Sequence, residues 1–136
     1  MIRWPSLVFL SSSMLVALPC FADSLDHRLI GAWLTSASDC AKVFEKRGGR
    51  INLRQPIDQF ATAFIIGPSE IVASGGRCRI GKVSNAANVT TLSLDCNNTV
   101  GYAQQTSRIT ILGDAKIQYD ASGESLLGVN YEKCPF

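Results

Sequence analysis

The chain has 136 residues, 13 cationic against 11 anionic side chains, a formal net charge of +2 and 46% hydrophobic residues. That length suits one domain with one core and excludes a second. A single histidine, His27, beside five cysteines with no C-x-x-C pair leaves zinc, thiol-redox and haem-attachment chemistry without ligands at the needed spacing.

Residues 1–22 read as a bacterial secretory signal peptide. Arg3 supplies the positive n-region, Leu7 to Leu18 the apolar h-region, and Cys20-Phe21-Ala22 a small-x-small cleavage site. The apolar run is too short for a transmembrane anchor, which needs about 20 residues, and Pro19 ends it. Lipidation of Cys20 is the alternative, although a proline directly before it is a poor lipobox. Cleavage leaves residues 23–136 as a single β domain, periplasmic or secreted. Its four cysteines, Cys40, Cys78, Cys96 and Cys134, read as two disulfides.

From Asp23 onward short apolar runs alternate with turn residues every eight to twelve positions. This predicts an all-β domain, a small antiparallel barrel or sandwich of seven or eight strands with one short helical turn. His27 falls in a frayed start. Leu29 to Leu34 is a strand carrying Trp33, and Ser36-Ala37-Ser38-Asp39 caps a helical turn through Cys40 and Val43. Val43 to Glu45 and Ile51 to Leu53 form a hairpin around Arg47-Gly48-Gly49-Arg50, since paired glycines supply the positive φ of a tight turn. Phe60 to Ile66 and Glu70 to Ala73 flank the turn Gly67-Pro68-Ser69, and Ser74-Gly75-Gly76 ends the second strand.

Side chains in a strand alternate faces, so register can be counted. Cys78 and Ile80 share one face, and Leu92, Leu94 and Cys96 share another. If Ser84 to Thr90 turns the chain, the register that opposes Cys78 to Cys96 also opposes Ile80 to Leu94. Directly opposed Cβ atoms lie about 4.5–5.5 Å apart and can bridge. Cys40 is then left for Cys134. A second hairpin, Arg108 to Tyr119 around Gly113-Asp114-Ala115, pairs Ile111 with Ile117, Ile109 with Tyr119 and Arg108 with Asp120. Leu126 to Tyr131 is the closing strand.

Charge is balanced overall but not along the chain. From Cys40 to Lys82 eight cations face three carboxylates, and from Val83 onward three face five. Lys46, Arg47, Arg50 and Arg54 on one hairpin, joined by Arg77 and Arg79, are expected to form a basic face for an anionic protein, glycan or lipid surface. No aromatic residues interleave with these cations, which argues against nucleic acid. The carboxylates Asp58, Glu70, Asp95, Asp114, Asp120 and Glu124 sit beside turns or on polar strand faces, and no phosphate loop or held Ser-His-Asp set exists. The expectation is a non-enzymatic binding module without cofactor or metal. The alternative is a barrel around an apolar or amphiphilic ligand, lined by Trp33, Phe60, Phe64 and Tyr119.

The stretch Asp39 to Gly49, followed by Gln55-Pro56-Ile57-Asp58-Gln59-Phe60 and Ile65-Ile66-Gly67-Pro68, resembles small exported, uncharacterised proteins of α-proteobacteria. Gly31-Ala32-Trp33 with Cys40 behind it is similar to the first strand of lipocalin-like barrels and of periplasmic protease inhibitors. The former resemblance brings no activity with it. The latter implies a binding barrel or an inhibitor or immunity-type partner of an envelope hydrolase.

Overall fold

The computed structural model describes residues 16–17, 23–121 and 128–136. The cleavage site and Cys20 lie outside the described residues. Among the described residues there are ten strands: β1 (Gly31–Leu34), β2 (Phe44–Arg47), β3 (Arg50–Leu53), β4 (Ala63–Ile66), β5 (Glu70–Ala73), β6 (Gly76–Ala86), β7 (Val89–Asn98), β8 (Tyr102–Gly113), β9 (Lys116–Asp120) and β10 (Val129–Lys133). A short α-helical turn, α1 (Cys40–Val43), is entered from a 3₁₀ turn over Ala37–Asp39.

Eight strands close an antiparallel barrel in the order β1-β10-β9-β8-β7-β6-β5-β4, and β2 and β3 form a separate hairpin. From β4 to β10 each strand pairs with the next in sequence, an up-and-down meander that β1 closes by pairing with both β4 and β10. Closure leaves the sheet no open edge, which is how a small antiparallel sheet avoids edge-to-edge association.

Alternation along each strand divides the core in two. Inward residues Trp33, Phe64, Ile66, Ile71, Leu92, Leu94, Ile109, Ile111, Ile117 and Tyr131 fill the barrel, with Cys78, Ile80 and Cys96 packed against them. Their outward neighbours Ala32, Leu34, Ala63, Ile65 and Val72 form a second cluster, covered by Phe44, Leu53, Cys40 and Cys134. The hairpin is therefore a lid on the outer face of β1, β4 and β5. Phe44 and Leu53 oppose each other in its register and both turn toward the barrel.

The registers counted from the sequence are found. Cys78 opposes and bonds Cys96, Ile80 opposes Leu94, and Cys40 bonds Cys134. Ile111 opposes Ile117, Ile109 opposes Tyr119, and Arg108 opposes Asp120.

Four expectations need correction. Ser84 to Thr90 is not a loop: β6 and β7 stay paired to Ala86 and Val89, after a register shift between Ile80 and Val83. Asn85 and Ala86 are polar or small and read as turn residues, yet their ladder continues past the buried part of the sheet. His27 is not in a frayed start. It opens a 3₁₀ turn (His27–Leu29) capped by Asp26, whose carboxylate accepts from the Arg28 N–H at 2.9 Å, so Leu29 belongs to this turn and not to β1. Asp39 does not cap α1 through its side chain and instead bonds Lys42 Nζ at 3.0 Å. The strand expected from Phe60 begins only at Ala63. An Asp58 Oδ1 acceptor for the Phe60 N–H at 2.9 Å holds Phe60 in a turn, 95% exposed. Of the expected closing strand, 126 and 127 lie outside the described residues, and β10 continues to Lys133.

The 3₁₀ turn plugs one end of the barrel. Leu29 is fully buried, and its carbonyl accepts the Trp33 indole N–H at 2.8 Å. Lys133 Nζ stands 5.4 Å from the centre of the Trp33 ring and donates to the Arg28 carbonyl at 2.9 Å. A cation over an indole face and a charged donor on a backbone oxygen both favour this closure. Gly31 makes room for it: its φ is +147°, and a Cβ there would meet Lys133 Cε at 2.6 Å.

Candidate functional site: a basic hairpin and a polar ledge

The six cations of the expected basic face fall on two separate surfaces. Lys46, Arg47, Arg50 and Arg54 belong to the hairpin. Gly48 and Gly49, at φ +58° and +77°, turn the chain in the left-handed conformation that this tight reversal requires. Arg47 opposes Arg50 at the tip, away from the Phe44–Leu53 pair that anchors the base. Arg47 Nη2 bonds Glu45 Oε1 at 3.0 Å but its side chain stays 77% exposed, and neither Lys46 nor Arg50 makes an ion pair among the described residues. One carboxylate, shared with Arg54, therefore stands beside a tip with three exposed cations.

Arg54 does something else. Its Nε donates to the Ala41 carbonyl at 3.1 Å and its Nη2 to the Phe44 carbonyl at 3.5 Å, while Nη1 lies 3.8 Å from Glu45. Its backbone N–H donates to the Val43 carbonyl at 2.8 Å. These bonds satisfy carbonyls left over at the end of α1 and join the last residue of the hairpin to the first. Arg54 is a structural tie, which charge counting along the sequence cannot distinguish from a contact residue.

Arg77 and Arg79 stand on the outer face of β6, where the registers of β5 to β8 build two rows across four strands. One row runs Glu70, Arg79, Asp95, Gln104; the next runs Val72, Arg77, Asn97, Tyr102. Arg77 Nη1 lies 3.3 Å from both Glu70 carboxylate oxygens. Asp95 Oδ1 accepts from the Tyr102 hydroxyl at 2.9 Å and from Gln104 Nε2 at 3.2 Å. Glu70, Arg77, Arg79, Asp95, Asn97 and Tyr102 line a groove of about 260 Å³. Two carboxylates against two guanidinium groups make it formally neutral, so this ledge does not extend the basic face. No sequence pattern marks the part Tyr102 plays, although the phase Asn97–Tyr102 follows once the β7–β8 register is known.

The barrel interior is filled by side chains. Phe64 packs on Tyr131 at 4.7 Å and on Tyr119 at 5.2 Å between ring centroids, and the Tyr119 hydroxyl donates to Ser107 Oγ at 2.9 Å. Burial pushes both tyrosine hydroxyls above their ordinary range. Trp33, Phe64 and Tyr119 face inward as expected, whereas the exposed Phe60 lines no interior. Among the described residues no cluster of His, Cys, Asp and Glu could hold a metal ion, and no helix is long and apolar enough to cross a membrane.

No family model, curated protein or solved structure matches the chain. The fold and these two surfaces therefore carry the reading of function by themselves.

Proposed function

We propose that the protein is an exported, non-enzymatic binding module that engages an anionic partner through Lys46, Arg47 and Arg50 at the tip of the β2–β3 hairpin. The observation that carries this is the division of the hairpin. Its base is buried against the barrel, while its tip presents three exposed cations on a glycine turn with only Glu45 beside them. Loops and hairpins appended to a rigid scaffold are where binding residues concentrate. Two disulfides support an oxidising compartment, periplasmic or secreted. The eight-stranded meander plugged beneath Gly31-Ala32-Trp33 supports a lipocalin-like architecture for the module. The partner class that fits best is an acidic protein surface, as in an inhibitor or immunity-type complex with an envelope hydrolase, because a projecting rigid tip inserts into a cleft.

The test replaces Lys46, Arg47 and Arg50 together by glutamate. Exposed hairpin charges contribute little to folding, so stability should change by less than about 1 kcal/mol. Partner capture from an envelope extract should be lost. Capture by the unaltered protein should weaken between about 0.01 M and about 1 M salt, as the Debye length falls from about 30 Å to about 3 Å. Capture indifferent to both the substitutions and the salt would overturn the proposal.

A further inference from the structure

We propose that the ledge on β5–β8 is a second, independent binding site, for a neutral saccharide. The argument begins with its charge. Arg77 and Arg79 are balanced by Glu70 and Asp95 in the same two rows, so the groove has no long-range attraction for either an anion or a cation. What it offers instead is dense, alternating hydrogen-bonding capacity on a rigid sheet.

Several of these groups are not used up by their neighbours. Arg79 lies in register between Glu70 and Asp95 yet forms an ion pair with neither, so its guanidinium donors remain available. Among the described residues the Asn97 amide makes no side-chain hydrogen bond. Among the described residues Asp95 accepts two donors on Oδ1 and none on Oδ2. Guanidinium, carboxylate and primary amide are the planar groups that bind in a bidentate manner. Adjacent hydroxyls, each donor and acceptor at once, are a ligand chemistry that satisfies all three without introducing charge.

Tyr102 supplies the remaining element. Its side chain lines the groove, it is 61% exposed, and its hydroxyl is fixed to Asp95 at 2.9 Å. That bond holds the ring in place at no cost on binding, leaving an apolar face for the C–H side of a sugar ring. A peptide strand fits less well. The backbone groups of β5 to β8 are already paired within the barrel, and the groove has no apolar pocket for alternate side chains.

The experiment is a titration of the isotopically labelled mature protein, followed by amide shifts, with maltotriose, cellotriose, chitotriose and mannotriose, and with trigalacturonate as the anionic comparator. At least one neutral trisaccharide should shift the amides of Arg79, Asp95, Asn97 and Tyr102 saturably. Tyr102→Ala should weaken that binding about tenfold or more, a loss of about 1.4 kcal/mol. Tyr102→Phe, which keeps the ring, should lose less, and it tests the idea if the alanine variant is unstable. Lys46→Glu with Arg47→Glu and Arg50→Glu should leave sugar binding unchanged, which separates this site from the hairpin. Three results would overturn the proposal: no saturable shift with any neutral trisaccharide, trigalacturonate binding as tightly as the best neutral one, or shifts centred on the hairpin.

Discussion

The hairpin and the ledge use the same residue types to opposite effect. On the hairpin one carboxylate, Glu45, serves both Arg47 and Arg54, and the tip is left with surplus positive charge. On the ledge Arg79 stands in register between Glu70 and Asp95 and Arg77 reaches diagonally to Glu70, and the surplus vanishes. A run of cations in a sequence is thus not a surface property until register assigns each one its neighbours. An appended hairpin, having only one paired neighbour strand, keeps its charge, whereas a central barrel strand has two neighbours to neutralise it.

The largest effects should come from cutting the two disulfides, one serving each region. Cys40–Cys134 spans 94 residues and ties the foot of the hairpin excursion to the end of β10. In the chain-entropy model its loss, by Cys40→Ser with Cys134→Ser, costs about 4.7 kcal/mol. Cys78–Cys96 spans 18 residues under the ledge, and its loss costs about 3 kcal/mol. Denaturant unfolding of the two double variants measures both. The inverse order would mean that the hairpin is anchored by Phe44 and Leu53 rather than by the bridge.

A smaller effect separates the arginines within the hairpin. Arg54→Ala removes a charged donor from two backbone carbonyls and should cost about 1–2 kcal/mol, allowing for its half-exposed side chain. Arg50→Ala should fall within about 0.5 kcal/mol of the unaltered protein. Thermal midpoints of the two variants decide it, and equal midpoints would return Arg54 to the contact surface.

The smallest effect concerns the barrel plug. Hydrogen bonds from the Arg28 guanidinium, and then from its backbone N–H, lower the Asp26 pKa from 3.8 to about 2. A depressed carboxylate stabilises the fold fully above its unfolded value, and that contribution disappears as pH falls from about 4 toward about 2. Asp26→Asn should flatten the acid limb of the stability profile over that window by lowering stability at neutral pH, where the contribution is fully present, and leave stability below about pH 2 almost unaltered. An unchanged limb would place the acid sensitivity elsewhere.

Much of the barrel was legible because period-two alternation and cysteine phase constrain each other. Residues 78–80 and 94–96 permit only one register once a bridge is required. The 108–120 hairpin followed for the same reason from Ile109, Ile111, Ile117 and Tyr119. The register shift after Ile80 was missed although Gly81 marks it, since a lone glycine within a strand signals a bulge. Phe60 was misassigned because an apolar run conceals an Asx turn whose acceptor, Asp58, lies two residues earlier. The ledge was not legible at all. Its rows combine residues from four strands, and only the β7–β8 register brings Tyr102 beside Asn97 and Asp95.

The position of β1 in the meander also governs the order of events during folding. Every other barrel strand can pair with a sequence neighbour as soon as both exist. β1 must wait for β4, across the whole hairpin excursion, and for β10, whose Lys133 pairs with Trp33 a hundred residues away. Loop-closure entropy makes such long-range pairings costly, so the seam between the first and last strands is the pairing the topology places last. Until it occurs, Trp33 lacks the lysine above its ring and β4 and β10 expose unpaired edges, the exposure that closure of the barrel removes.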